Sequence, residues 1–198
     1  LSGASINLGA DVDSLTLGGF VNSATISNVE SILGGSDADT LTLATQASAM
    51  SVDLGSGTDA LIMGDFANTI TLSNVESVQG GSAADTVTFA TQLSNATINL
   101  GSGADVVTLA DLANTVTISS VETINGGAAA DSVTLGTAVS NGSIDLASGN
   151  DTLTLGNFVN VVSVSNVETV LGGTDSDTVT LSEILTTGQN IDLCDGKY

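Results

Sequence analysis

Histidine, arginine, tryptophan and proline are all missing from this chain of 198 residues, which holds one lysine (Lys197), one tyrosine (Tyr198) and one cysteine (Cys194). Each absence removes something. Without histidine or arginine there is no ordinary base for acyl transfer and no cationic clamp for phosphoryl transfer. A single cysteine rules out an internal disulfide and any thiolate metal cluster. Aromatic residues make up 3% of the chain, too few to line the aromatic cleft of a polysaccharide-cleaving β-helix enzyme. A glycosidase working with carboxylates alone is the one enzymatic route left open, and the expectation is that the chain is not an enzyme. No stretch approaches 18 uninterrupted apolar residues, so no transmembrane helix is expected. One base against 22 acids gives a net charge of −21. Nucleic acid and anionic membrane surfaces repel such a chain, and cations are its natural partners.

What remains is 41% hydrophobic and only 12% charged, which is too apolar for disorder. Thr, Val, Ile and Leu fill the segments between 23 glycines, a composition for pleated strands and tight turns. The chain also repeats itself every 46 residues. Val29-Glu30-Ser31, Val75-Glu76-Ser77, Val121-Glu122-Thr123 and Val167-Glu168-Thr169 are in step. Within each repeat, hexapeptides end at Asp13, Asp39, Asp59, Asp85, Asp105, Asp131, Asp151 and Asp177, with separations alternating between 26 and 20. A period of this size means stacked supersecondary units.

After each of these aspartates the residues alternate strictly. Leu15/Leu17, Leu41/Leu43, Leu61/Met63, Val87/Phe89, Val107/Leu109, Val133/Leu135, Leu153/Leu155 and Val179/Leu181 are apolar, with Thr, Ser, Ala, Ile or Val between them. Period two marks a strand with one dry and one wet face. Nine residues further on, a second strand centres on Ile26, Val52, Leu72, Ile98, Ile118, Ile144 and Val164. The expected fold is therefore all-β: one continuous single-stranded parallel β-helix over residues 1–198. About eight coils would alternate between 20 and 26 residues, with segments such as Ser27–Ile32 as a short third strand in the longer ones. The incomplete copies at both ends look like pieces cut from a longer array.

The turns before the strands include Gly34-Gly-Ser-Asp-Ala-Asp39, Leu54-Gly-Ser-Gly-Thr-Asp59 and Leu100-Gly-Ser-Gly-Ala-Asp105. With the strand that follows, several resemble the glycine- and aspartate-rich nonapeptide of RTX proteins. The resemblance implies a secreted or cell-surface bacterial solenoid, as in large adhesins, with Ca²⁺ held between successive coils by Asp carboxylates and backbone carbonyls. Carried onto this chain, the candidate ligands are Asp11, Asp13, Asp37, Asp39, Asp59, Asp85, Asp105, Asp131, Asp151, Asp175 and Asp177. The turns depart from the motif: Gly occupies the fourth position only at Gly57, Gly103 and Gly149, and the first Gly is Leu in half of them. From the residues alone, an Asx-turn in which each Asp bonds loop N–H groups is equally open.

Asp53, Asp145 and Asp192, with Asn7 and Asn99, form a sparser second set at the next corner. Glu30, Glu76, Glu122 and Glu168 read as solvated. Asn28, Asn74 and Asn166 read as bend formers, because Asn tolerates left-handed backbone. Phe20, Phe66 and Phe158, with Leu112 in register, read as plugs at a core corner. Functionally, the expectation is an extracellular structural element: a rigid stalk, adhesin repeat region or filament subunit stiffened by calcium and able to stack on copies of itself end to end. The alternative is a module that binds ice or another ordered surface through outward threonines, including Thr16, Thr42, Thr88, Thr108, Thr134, Thr154 and Thr180.

Overall fold

The computed structural model describes residues 1–184 and 188–193; the expectations attached to Cys194, Lys197 and Tyr198 fall outside them. Among the described residues there is no helix, and the chain winds into a parallel β-solenoid. Successive strands alternate between two sheets. The first holds eleven strands, among them Ala4–Asn7, Ser23–Ser27, Thr40–Leu43 and Ala60–Ile62, and ends at Asn190–Asp192. The second holds ten, from Ser14–Thr16 through Ser31–Gly35 and Ser48–Gly55 to Thr178–Leu181. All pairings are parallel. At roughly 4.8 Å per rung, the eleven-stranded sheet is about 48 Å long.

Alternation decides which residues fill the space between the sheets. Leu41 stacks on Leu61 in adjacent rungs, and both are fully buried. Ile26, Val52, Leu72, Ile98, Ile118, Ile144 and Val164 are buried as the second-strand pattern requires. Each such side chain contributes about 1.5–3 kcal/mol on burial. A single coil has nothing to bury them against, so the rungs are stable only as a stack.

The coil lengths differ from those read in the sequence. Ser23 pairs with Thr40 and Thr40 with Ala60, steps of 17 and 20 residues. The same two steps recur throughout, lengthened to 21 at the start of three bulged strands, as from Ser48 to Thr69, and at the last rung, Thr169 to Asn190. The six residues taken as an insert are the end of Ser23–Ser27, the bend, and the start of Ser31–Gly35, a full rung of the second sheet. A 26-residue unit is therefore three strands, or one and a half turns; a 20-residue unit is two strands, or one turn. The 46-residue repeat carries five strands. Because five is odd, each repeat lands on the opposite sheet from the one before; like residues return to the same sheet only after 92 residues, displaced there by two positions along the strand, since five rungs carry Thr40 to Thr134.

Several expectations change with this register. Leu15 lies against Ile32 in the second sheet, while Leu41 lies between Ala24 and Leu61 in the first. The threonine array divides as well: Thr42, Thr134 and Thr154 face outward from the first sheet, and Thr16, Thr88, Thr108 and Thr180 from the second. They do not form one flat face. Phe20, Phe66 and Leu112 are 73%, 41% and 48% exposed at turn apices, and Phe158 is only partly covered. They do not plug the core, whose aromatic is Phe89. The bends match the reading: Asn28, Asn74, Ser120 and Asn166 have φ between 52° and 54°.

Candidate functional site: two buried polar ladders

Each edge of the solenoid carries one column of polar side chains where the chain turns into a strand. The corner leading into the first sheet stacks Asn22, Asp39, Asp59 and Glu76, then, after a break, Asn114, Asp131, Asp151 and Glu168. The corner leading into the second stacks Asp13 and Glu30, then Asn68, Asp85, Asp105 and Glu122, then Asn160 and Asp177. The breaks coincide with left-handed residues at Ala49, Asn95 and Asn141 and with register shifts beside them. At such a bulge an extra residue enters the rung and displaces the column sideways.

One bond type runs through both columns: the backbone N–H of a rung donates to a side-chain oxygen in the next rung. Asn68 N–H donates to Asp85 Oδ1 (2.9 Å), Asp85 N–H to Asp105 Oδ1 (2.7 Å) and Asp105 N–H to Glu122 Oε2 (2.9 Å). On the other edge Asn22, Asp39 and Asp59 donate to Asp39, Asp59 and Glu76 at 2.8, 2.6 and 2.8 Å. These N–H groups sit where the chain turns away from the sheet and the backbone ladder no longer serves them, so the side chains complete the pairing. Each asparagine also donates through Nδ2; Asn68 reaches Phe66 O (2.7 Å), Gly64 O (3.3 Å) and Asp85 Oδ1 (2.9 Å).

The eight turn aspartates thus do not form one ladder. Asp39, Asp59, Asp131 and Asp151 lie on one edge and Asp13, Asp85, Asp105 and Asp177 on the other. The six internal ones are at most 2% exposed, whereas Asp13 and Asp177 are half-buried. Asp11, Asp37 and Asp175 are exposed at turn apices and take no part. The glutamates, read as solvated, instead close each acidic run as half-buried acceptors. Asn22, Asn68, Asn114 and Asn160 went unnoticed in the sequence, although they recur at a spacing of 46 without exception. At the next corner Asn7, Asp53, Asn99 and Asp145 each bond the N–H two residues on, the Asx geometry. Asn74 and Asn166 reach back one coil to Asp53 and Asp145, both at 2.7 Å.

Unlike turns are stacked in pairs, which explains the Gly/Leu alternation at their first position. Leu54, Leu100 and Leu146 fill the core completely. A Cβ on Gly34, Gly80 or Gly126 would collide with the backbone of that leucine in the following coil. At the fourth position, a Cβ on Gly57 would come within 2.9 Å of the Asp37 carbonyl carbon, and one on Gly103 within 2.9 Å of that of Ala83. The carbonyls of Gly35 and Gly81 accept N–H groups from Ser56 and Ser102. Turn backbones are therefore in direct contact, without room for even a methyl group at these positions. A calcium ion between coils needs six to eight convergent oxygens. Among the described residues no group of three or more acidic side chains gathers to hold a metal ion, and the ladder Oδ1 atoms are committed to N–H groups. The donor set does not fit the calcium arrangement that the resemblance implies.

The second oxygen behaves differently. Oδ2 of Asp13, Asp39, Asp59, Asp85, Asp105, Asp151 and Asp177 is buried without a hydrogen-bond partner; Oδ2 of Asp131 receives the Gly127 N–H at 3.2 Å. Neighbouring carboxylates one rung apart repel by roughly 3.5 kcal/mol at an effective dielectric near 20. Burial raises the carboxyl of Asp59 above the ordinary range, with Glu76 and Asp39 adding to it against the Asp39 N–H. Burial pushes Asp105 and Asp151 up to about 6, opposed by the N–H of Asp85 or Asp131 and reinforced by the charges on either side.

No known protein family, curated protein or solved structure matches the chain.

Proposed function

We propose that the chain is a structural, load-bearing β-solenoid: a rigid spacer or stalk segment in a secreted or cell-surface protein. The observation that supports this most is the continuity of wiring along the axis. Rungs are joined by main-chain pairing in both sheets and, within each run of the edge columns, by N–H to carboxylate or amide bonds. Each of these bonds pairs a backbone N–H that the sheet ladder leaves open, so the rungs of a run are tied at the edge as well as within the sheet. The extracellular setting follows from the likeness of the turns to RTX repeats and from the acidic surface.

Stretching the chain between its ends in a force spectrometer tests the reading. Each coil of 17 or 20 residues releases about 60 Å of slack when it peels away, at roughly 3.5 Å per extended residue. A spacer gives a sawtooth with increments of that size or its multiples. Extension without resistance at low force would refute a mechanical role.

A further inference from the structure

We propose that each Asp–Asp–Glu run holds a proton rather than a cation, carried on the unpartnered oxygen of its middle aspartate, which makes the solenoid an acid-stabilised rod. The proposal rests on the ladder geometry and is independent of the mechanical reading. The middle residues are Asp59, Asp105 and Asp151, each at most 1% exposed. Their Oδ1 atoms accept the N–H of Asp39, Asp85 and Asp131 at 2.6–2.7 Å. Their Oδ2 atoms are buried with nothing to receive.

The groups facing each middle aspartate are all acidic. Asp39, Asp85 or Asp131 lies in the coil before, and Glu76, Glu122 or Glu168 in the coil after. No side-chain cation exists among the described residues, and the N-terminal amine bonds Asn22. A charge on the middle carboxylate would thus be buried, held by one N–H and flanked on two sides by like charge. Protonation removes the buried charge and the repulsion from both neighbours. The proton belongs to the run as a coupled unit, centred on its middle member. The solenoid's own asparagines show that a neutral side chain fits: at Asn68 and Asn114, Oδ1 accepts the preceding rung's N–H just as Asp Oδ1 does.

The direction follows from linkage. With the carboxyl raised from 3.8 to about 6 on folding, the folded chain keeps a proton that the unfolded chain releases. The stabilisation is complete below about pH 4 and lost as pH rises through about 6. Across that window the unfolding equilibrium constant rises on the order of a hundred-fold for each of Asp105 and Asp151, and in the same direction for Asp59.

Urea unfolding of the full chain at about pH 4.5 and about pH 7.5 tests this on the wild type, on Asp59→Asn/Asp105→Asn/Asp151→Asn and on the control Asp11→Asn/Asp37→Asn/Asp175→Asn. At about pH 7.5 the two variants lose the same charge, so general repulsion relaxes equally there. The wild type and control should lose stability on going to the higher pH, and the ladder variant should be more stable than wild type there with a much flatter dependence. Infrared spectra of the wild type below pH 6 should show a buried protonated-carboxyl C=O band. That band requires no variant to fold, and Asp105→Asn alone should weaken it. A wild-type stability flat or rising across the window, a ladder variant with the wild-type slope, or a missing band would overturn the proposal. So would calcium raising the wild-type midpoint at the higher pH without affecting the ladder variant.

Discussion

Replacing Asn68 with alanine is the sharpest single perturbation of the ladder. Asn68 is 1% exposed and heads the run Asp85, Asp105, Glu122. Its Oδ1 accepts the Ala47 N–H at 2.9 Å, and its Nδ2 serves Phe66 O at 2.7 Å and Asp85 Oδ1 at 2.9 Å. Alanine leaves a buried N–H and a carbonyl unpaired and takes one of two donors from a buried carboxylate. Each orphaned group costs about 1–3 kcal/mol, more when charged. Allowing for relaxation, the loss should be about 3–5 kcal/mol. Urea denaturation measures the total, and hydrogen exchange at the Ala47 N–H localises it, with protection falling by a hundred-fold or more. Asn68→Asp keeps the shape and the Oδ1 acceptor but loses the donor and sets a fourth carboxylate on Asp85. It should be comparably damaging at neutral pH and largely rescued in acid. A loss under about 1 kcal/mol for Asn68→Ala, with Ala47 still protected, would refute the view that these side chains complete the backbone pairing.

Two further substitutions probe other parts of the structure. Leu61→Ala removes a fully buried rung of the core and should cost about 2–5 kcal/mol in urea denaturation, whereas Ile62→Thr, on the outward face of the same strand, should change stability by less than about 0.5 kcal/mol. Gly103→Ala forces a Cβ to within 2.9 Å of the Ala83 backbone and should cost more than about 2 kcal/mol, while Gly9→Ala meets nothing within 4 Å and should cost only the φ penalty, about 1 kcal/mol, both read as shifts in the urea midpoint.

Strand identity and the inward set were legible because the period-two pattern reports directly which side chains face the core, as at Leu41/Leu43 and Val133/Leu135. The coil was not legible from the same pattern. Both sheets present identical alternation to the shared interior, so nothing in Leu15/Leu17 or Leu41/Leu43 says which sheet it joins. Ser27–Ile32 looked like an insert because it lacks the flanking Asp turn, yet the strand it leads into, Ser31–Gly35, pairs as a full rung. Phe20 and Phe66 were misplaced because hydrophobicity alone argued for burial; the backbone swings outward there to bring Asn22 and Asn68 inward, carrying their neighbours into solvent. The aspartate positions were visible, but not the direction of their oxygens. Oδ1 points along the axis to the rung before, where it caps a backbone N–H. The spacing of Asn22, Asn68, Asn114 and Asn160 held the missing clue, since an amide repeated at buried turns marks a donor–acceptor pair in use.

The two-and-a-half-turn repeat is the claim on which both ladders depend, and spin-label distances test it most directly. Labels at Thr42 and Thr134, which are 92 residues apart, should lie on one face about 25 Å apart, five rungs along the rod. Labels at Thr42 and Thr88, 46 residues apart, should sit on opposite faces at a similar or longer distance, because the thickness of both sheets separates them. A Thr42–Thr88 distance near 12 Å would return each repeat to the same face and contradict the account.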